Sequence, residues 1–306
     1  MRAPLEPLQW SPIPDSVPNV EMTEDEEGLV RIMTDLYYMT SFQVAELLEW
    51  KEAQTRYHLA LLERAGWIQG VYVTWRGKRW RVYAPSQHVG TLLAATNPDW
   101  QLMHEEWRSP ADMQVKGQAI PHALDRNLFC QAVLGNAYHW QWPAWWDYQS
   151  RKVRVPGGSA GGVVPDAILH VRQHVWYVEI ERSWRLSTVT SKLERYADLY
   201  QRHAWGFFHQ VLPRLLIVAD TSSTQRRAFD SWLAQLDHLA RQWVVLLPWE
   251  ELRGTWQCWV WSPMGERTQI GWRDLHSLPA AKAPDVPARL VVKQRRVPPP
   301  DTPWLN

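Results

Sequence analysis

Cysteine is almost missing from this 306-residue chain: Cys130 and Cys258 stand far apart without a CxxC partner, which excludes a disulfide framework and a cysteine zinc site. A reducing compartment, the cytoplasm, is therefore expected. No apolar run approaches membrane-spanning length, and the start of the chain is proline-rich and then acidic around Glu24 to Glu27, so neither a membrane span nor a basic, apolar export signal is expected. The 11 histidines contain no HExxH pattern and no closely spaced pair of the kind used by tyrosine relaxases. The glycine run GGSAGG at 157–162 lacks the Gly-Lys-Ser/Thr that would complete a phosphate loop and reads as a connection. A net charge of +1 provides no global attraction to nucleic acid, so any such contact must come from local basic patches. Lysine is scarce as well, 7 against 26 arginines, so a lysine in a chemically useful place is less incidental than in a lysine-rich chain.

What is present fits a globular chain of two ordinary domains or one large one: 45% of residues are hydrophobic and 22 are tryptophan. The tryptophans suit core packing, base stacking or protein contacts, and the sequence alone does not sort them. Residues 1–23 read as a proline-rich arm. Leu29, Ile32, Met33, Leu36 and Tyr37 recur at helical spacing from Glu24 to Tyr38, and Thr40 or Ser41 caps a second helix through Trp50. A third helix from Ala53 to Ala65 places Tyr57, Leu61 and Leu62 on its apolar side and Lys51, Gln54, Arg56 and His58 on the other, with Gly66 as terminator. Val71 to Trp75 and Trp80 to Tyr83 then flank a turn of Arg76, Gly77, Lys78 and Arg79.

Three helices followed by a basic hairpin resemble a winged helix-turn-helix, here 24–92, whose third helix enters the major groove of double-stranded DNA. The resemblance makes Gln54 and Arg56 candidates for base contacts. Arg76, Lys78, Arg79 and Arg81 are candidates for phosphate contacts from the wing. A protein-contact module is the bland alternative. The pattern weakens over 93–118, read as a linker, and a second domain is expected over 119–262. A helix is expected at Pro121 to Tyr138, with strands near Lys152 to Val155, Val163 to Val171, Val175 to Glu181, Arg214 to Ala219 and Trp243 to Leu247. Further helices are expected at Ser187 to Tyr200 and Thr224 to Gln242, so the second domain reads as a mixed sheet flanked by helices. Residues 263–306 read as a tail, which from Pro279 holds seven prolines and five Lys or Arg.

The chemistry-bearing stretch runs from Val163 to Tyr200. If Arg172 and Gln173 form a hairpin turn, Asp166 lies opposite Glu179, with Glu181 two residues further along the same face. Like charges so placed repel, and a divalent cation or a shared proton offsets them; oxygen-only ligands suit Mg²⁺ or Mn²⁺. A solvated hairpin face carrying ordinary acids is the plain alternative. Pro165, Asp166 and Glu179 resemble the catalytic hairpin of the restriction-endonuclease-like superfamily, although Glu181 stands where that pattern usually has lysine. Lys192, on the following helix, is the candidate replacement, since arginine is effectively never deprotonated.

Taken together, the winged helix, the helix carrying His122 and Asn127, and the Pro-Asp, Glu-x-acid and Lys-Leu-x-x-Tyr series resemble the replication-relaxation family of plasmid and mobile-element proteins over roughly residues 25 to 250. The implied fold is an α+β winged helix-turn-helix domain followed by an α/β restriction-endonuclease-like domain. The implied function is metal-dependent nicking or relaxation of DNA in replication or mobilisation: Asp166, Glu179 and Glu181 hold the metal, and Lys192 stabilises the transition state. A non-catalytic replication initiator or transcriptional regulator is the alternative. A homodimer or other replication or mobilisation proteins are the expected partners besides DNA. An additional acid of the nuclease superfamily has only Asp125 or Asp147 to draw on here.

Overall fold

The structure, a computed structural model, describes residues 8–15, 21–90, 119–139, 144–147, 165–171, 174–181, 194–196, 213–219, 229–230, 244–253, 256–261, 266–272 and 274. By contact the chain divides into two compact units, Met1–Tyr148 and Gln149–Asn306.

In the first unit, helix α1 (Glu24–Leu36) opens with a capping box in which the Thr23 hydroxyl accepts from the Glu26 amide and the Glu26 carboxylate accepts from the Thr23 amide. It stops short of the expected Tyr38 because Tyr37 takes a positive φ of 64°. A two-residue strand β1 (Met39–Thr40) leads into α2 (Ser41–Leu48), and Thr40 is the cap, boxed with Gln43. Glu49, left-handed at φ 54°, turns the chain over three residues into α3 (Glu52–Ala65), which ends on Gly66 at φ 88°. Strands β2 (Ile68–Trp75) and β3 (Lys78–Pro85) form a hairpin in which Trp75 pairs with Lys78. The turn is therefore two residues, Arg76 and Gly77, rather than four. Both have positive φ, 50° and 74°, as a tight primed turn matching strand twist requires. β1 pairs with β3, giving the sheet order β1-β3-β2.

Helix α4 (Ala119–His139), expected in the second domain, falls by contact in this unit. The inward stripe of the hairpin, Val71, Val73, Trp75 and Val82, packs on Ile120, Ala123 and Leu124 of α4 together with Tyr38 and Ala84. Polar staples add to the apolar burial. Gln43 Nε2 donates to the Leu124 carbonyl, Gln131 Nε2 to that of Gln43, and Asn127 Nδ2 to those of Leu36 and Tyr38 at 3.0 and 2.6 Å. A short strand β4 (Ala144–Asp147) closes the unit. The N-terminal arm is docked at 8–15: Ser11 exchanges hydrogen bonds with Gly70 on the edge strand β2, and Trp10 stacks on Tyr38.

The second unit is built on β5 (Ala167–Val171), β6 (His174–Glu181), β7 (Arg214–Ala219), β8 (Val244–Pro248), β9 (Gln257–Trp261) and β10 (Arg267–Gly271), neighbours in that order. The β5–β6, β8–β9 and β9–β10 pairs are antiparallel; β6–β7 and β7–β8 are parallel. β7 and β8 are buried along their whole length, as parallel strands covered on both faces must be. The fold is thus mixed α+β with antiparallel and mixed sheets. Strand β10 lies in the range read as a tail; Trp272 beyond it is buried, donates to the Trp256 carbonyl and meets Trp256 edge to face. Trp67, Trp75, Trp176, Trp256 and Trp272 are all buried, which assigns them to packing. The expected strand at Lys152 to Val155, the glycine run 157–162, the linker 93–118 and the chain from Pro279 lie outside the described residues, as does most of the expected helix at Thr224 to Gln242.

Candidate functional site

On α3 the buried stripe is Thr55, Leu59 and Leu62. Tyr57, expected on that side, faces solvent at 61% exposure. The stripe is rotated because Thr55 can go inside: its hydroxyl donates to the Lys51 carbonyl at 3.1 Å and so leaves no unmet polar group. Gln54 and Arg56 are exposed, as the DNA reading needs. Arg56 lies 3.4 Å from Glu52, but both side chains are largely solvated, so the pair contributes little.

The four wing cations do not share one environment. Arg76 Nε donates to Asp125 Oδ1 at 3.0 Å, and the same buried carboxylate oxygen accepts from Trp75 Nε1 at 2.9 Å. Arg81 donates to Glu63 at 2.6 Å; burial alone would lower its pKa, but the Glu63 and Tyr72 hydrogen bonds outweigh that and hold it above the usual arginine value. This pair lies across Gly70, where a Cβ would come within 2.4 Å of Glu63 Oε1. Lys78 and Arg79 stay exposed, the Arg79 guanidinium resting 4.7 Å from the centre of the Tyr72 ring. Two of the four positive charges are thus locally neutralised.

In the second unit the expected hairpin register holds: Val171 pairs with His174 and Ala167 with Val178, so the two-residue connection falls on Arg172 and Gln173. One step past the ladder, the Asp166 amide donates to the Val178 carbonyl, and Asp166 Oδ2 accepts from the Ile180 amide at 2.8 Å. Glu179 is 2% exposed and accepts a short hydrogen bond from the Tyr196 hydroxyl. Tyr196 is itself buried and tilts against Tyr177; its role was missed in the sequence, although it closes the Lys-Leu-x-x-Tyr series and lies in a helical segment. Glu181 is half-buried at the strand end. Lys192 lies outside the described residues.

The donor set is carboxylate oxygen, which suits a hard cation. Among the described residues no group of three or more His, Cys, Asp or Glu is close enough to hold a metal ion, so Asp166, Glu179 and Glu181 do not form a three-acid cluster there. Asp125 is committed to the hairpin, and of Asp147 only the backbone is described. Asn127 is a staple, and His122 sits half-buried on the same helix. Burial pushes both thiols up, Cys130 and Cys258 alike, so neither is a poised nucleophile. Among the described residues no helix is long and apolar enough to cross a membrane.

These features define a mixed α+β protein of two units, one offering a polar helix face and an arginine-lysine hairpin to solvent, the other carrying acids at the end of a buried strand. The chain belongs to the replication-relaxation family, whose model matches residues 31–215, more than half of its length. No curated protein and no solved structure matches it.

Proposed function

We propose that this is a double-stranded-DNA-binding protein of a plasmid or other mobile element, acting in its replication or mobilisation. In this reading residues 24–92 are a winged helix-turn-helix and the mixed sheet is a restriction-endonuclease-like core. The family supports the setting. The observation that carries the DNA reading is the exposure of Gln54 and Arg56 on α3 together with Lys78 and Arg79 on the hairpin of the same unit. Gln and Arg make paired hydrogen bonds to base edges in the major groove, and the two wing cations suit phosphates. Arg76 and Arg81 brace the wing through Asp125 and Glu63.

For the second unit we propose strand nicking assisted by Mg²⁺ or Mn²⁺. Two carboxylates with water and substrate phosphate completing the shell is a common way to hold Mg²⁺, and in this reading Asp166 and Glu179 would be the two. The bound cation would supply charge stabilisation at the phosphorus and a more acidic water. Glu179, oriented by Tyr196, would keep its carboxylate fixed. Asp166 would be fixed by the Ile180 amide, Glu181 would orient water, and Lys192 would offset charge on the transferring phosphoryl group. The second reading, a non-catalytic initiator or regulator, is favoured by one observation: Asp166 and Glu179 already serve as hydrogen-bond acceptors that hold the strand end and the Tyr196 segment in place.

Incubating the protein with supercoiled DNA, with and without Mn²⁺, separates the two. Open circles that require both Mn²⁺ and Asp166 support nicking; duplex binding without open circles leaves the regulator.

A further inference from the structure

Tyr57 is the most exposed of the three large exposed hydrophobic side chains among the described residues, 61% against 51% for Tyr72 and 37% for Phe42. It stands mid-way along the outer face of α3, where Gln54 and Arg64 are also exposed. Of its neighbours one turn away, Ala53, Gln54 and Ala60 are exposed and Leu61 is half-buried, and the two alanines are too small to cover the ring. Its direction is nevertheless restrained. The His58 ring meets Tyr57 edge to face with centroids 5.4 Å apart; His58 is backed by Trp50 at 4.6 Å and tied to Glu26 Oε1 through Nδ1 at 2.7 Å. A large ring presented to water and held in place from behind has its ordering cost met before any partner arrives.

We propose that Tyr57 determines sequence specificity by contacting the 5-methyl group of thymine in the major groove, between the hydrogen-bonding contacts of Gln54 and Arg56. The inference rests on the duplex-DNA reading above and deepens it. Of the four base edges in the major groove only thymine offers an apolar group, and the others present donors and acceptors that an aromatic ring cannot satisfy. The small side chains of Ala53 and Ala60 leave the groove floor within reach of the ring.

The test uses the full chain and a duplex selected from a random library at low salt. Each thymine is then replaced in turn by deoxyuridine, which deletes the methyl group and keeps the base pair. At one or two positions uracil weakens wild-type binding roughly fourfold, the worth of one buried methyl group. Tyr57→Phe keeps that penalty. Tyr57→Ala binds the thymine duplex more weakly and no longer distinguishes it from the uracil duplex. Uracil tolerated at every position, or a penalty that survives in Tyr57→Ala, overturns the proposal. So does a loss in Tyr57→Phe as large as in Tyr57→Ala on both duplexes, which marks a phosphate contact through the hydroxyl. Failure to bind any duplex at low salt overturns the DNA reading itself, an outcome distinct from binding that ignores the methyl group.

Discussion

The hairpin of the first unit and the acid-bearing strand of the second handle charge in opposite ways. In the first, two acids are drawn inward against arginines, Asp125 under Trp75 and Arg76 and Glu63 beside Arg81, and Glu26 is buried beside the His58 ring. At the hairpin, what remains after this pairing is Lys78 and Arg79. In the second, Glu179 lies in a strand buried along nearly its whole length and is met by a neutral tyrosine hydroxyl. A carboxylate there gains little screening from water, so its partners decide its chemistry. Counting charges in a motif therefore overstates the wing and says little about the acid site.

The sharpest way to break this comparison is at the staples of the first unit. Asn127 is fully buried and its amide bonds two backbone carbonyls. Asn127→Ala should cost about 2–3 kcal/mol, read as a lowered urea midpoint for the α1 and α2 region. A cost below about 0.5 kcal/mol would mean that apolar burial, and not the polar staples, holds α4 in this unit. A smaller effect is expected at Tyr196→Phe, which removes one donor from a buried carboxylate: about 1–2 kcal/mol, with most of that loss absent when Glu179 is already Leu. Additive single and double changes would detach Tyr196 from Glu179.

What the sequence made legible follows from where the controlling contacts lie. The Asp166 hairpin register and the bounds of the Arg214–Ala219 strand could be read because continuous apolar runs end at polar residues, a local signal. The wing could be located from its charges and Gly77, but the two-residue turn required Arg76 to adopt a positive φ, which composition does not announce. The outward turn of Tyr57 hinged on Thr55 satisfying its own hydroxyl within the helix. Asp125 with Trp75 and Asn127 with Tyr38 join residues 50 and 89 positions apart, beyond the reach of any periodicity argument. Strand β10, RTQIG, carries no apolar run or alternation because its first three residues are exposed and polar.

The wing sharpens the comparison next. Lys78→Gln with Arg79→Gln should flatten the dependence of duplex affinity on salt by roughly two units of logarithmic slope, at about 0.9 per phosphate contact. Arg76→Gln should leave the slope nearly unchanged while lowering stability, because its guanidinium is engaged by Asp125. Equal slopes lost at Arg76 and at Lys78 would show that the Asp125 pair opens on DNA.

The smallest expected effect concerns Glu26, the buried acid that pins His58 behind Tyr57. Burial pushes its carboxyl up, but the hydrogen bonds from His58 and from the Thr23 amide outweigh burial and leave it below the ordinary carboxylate value. A carboxyl with a depressed folded-state pKa contributes stability that is complete above its unfolded value, roughly 4.3, and is lost as pH falls through the folded value. Wild type should therefore lose melting temperature faster than Glu26→Gln between pH 6 and pH 3. The gap between the two proteins should close toward the acid end. Because the same bonds hold His58, the acid-treated protein should also let Tyr57 move, seen as a loss of its fixed-ring signal in near-ultraviolet circular dichroism relative to a Tyr57→Leu control. A gap that stays constant across that range would mean that Glu26 serves as a helix cap alone and leaves His58 to be held by Trp50.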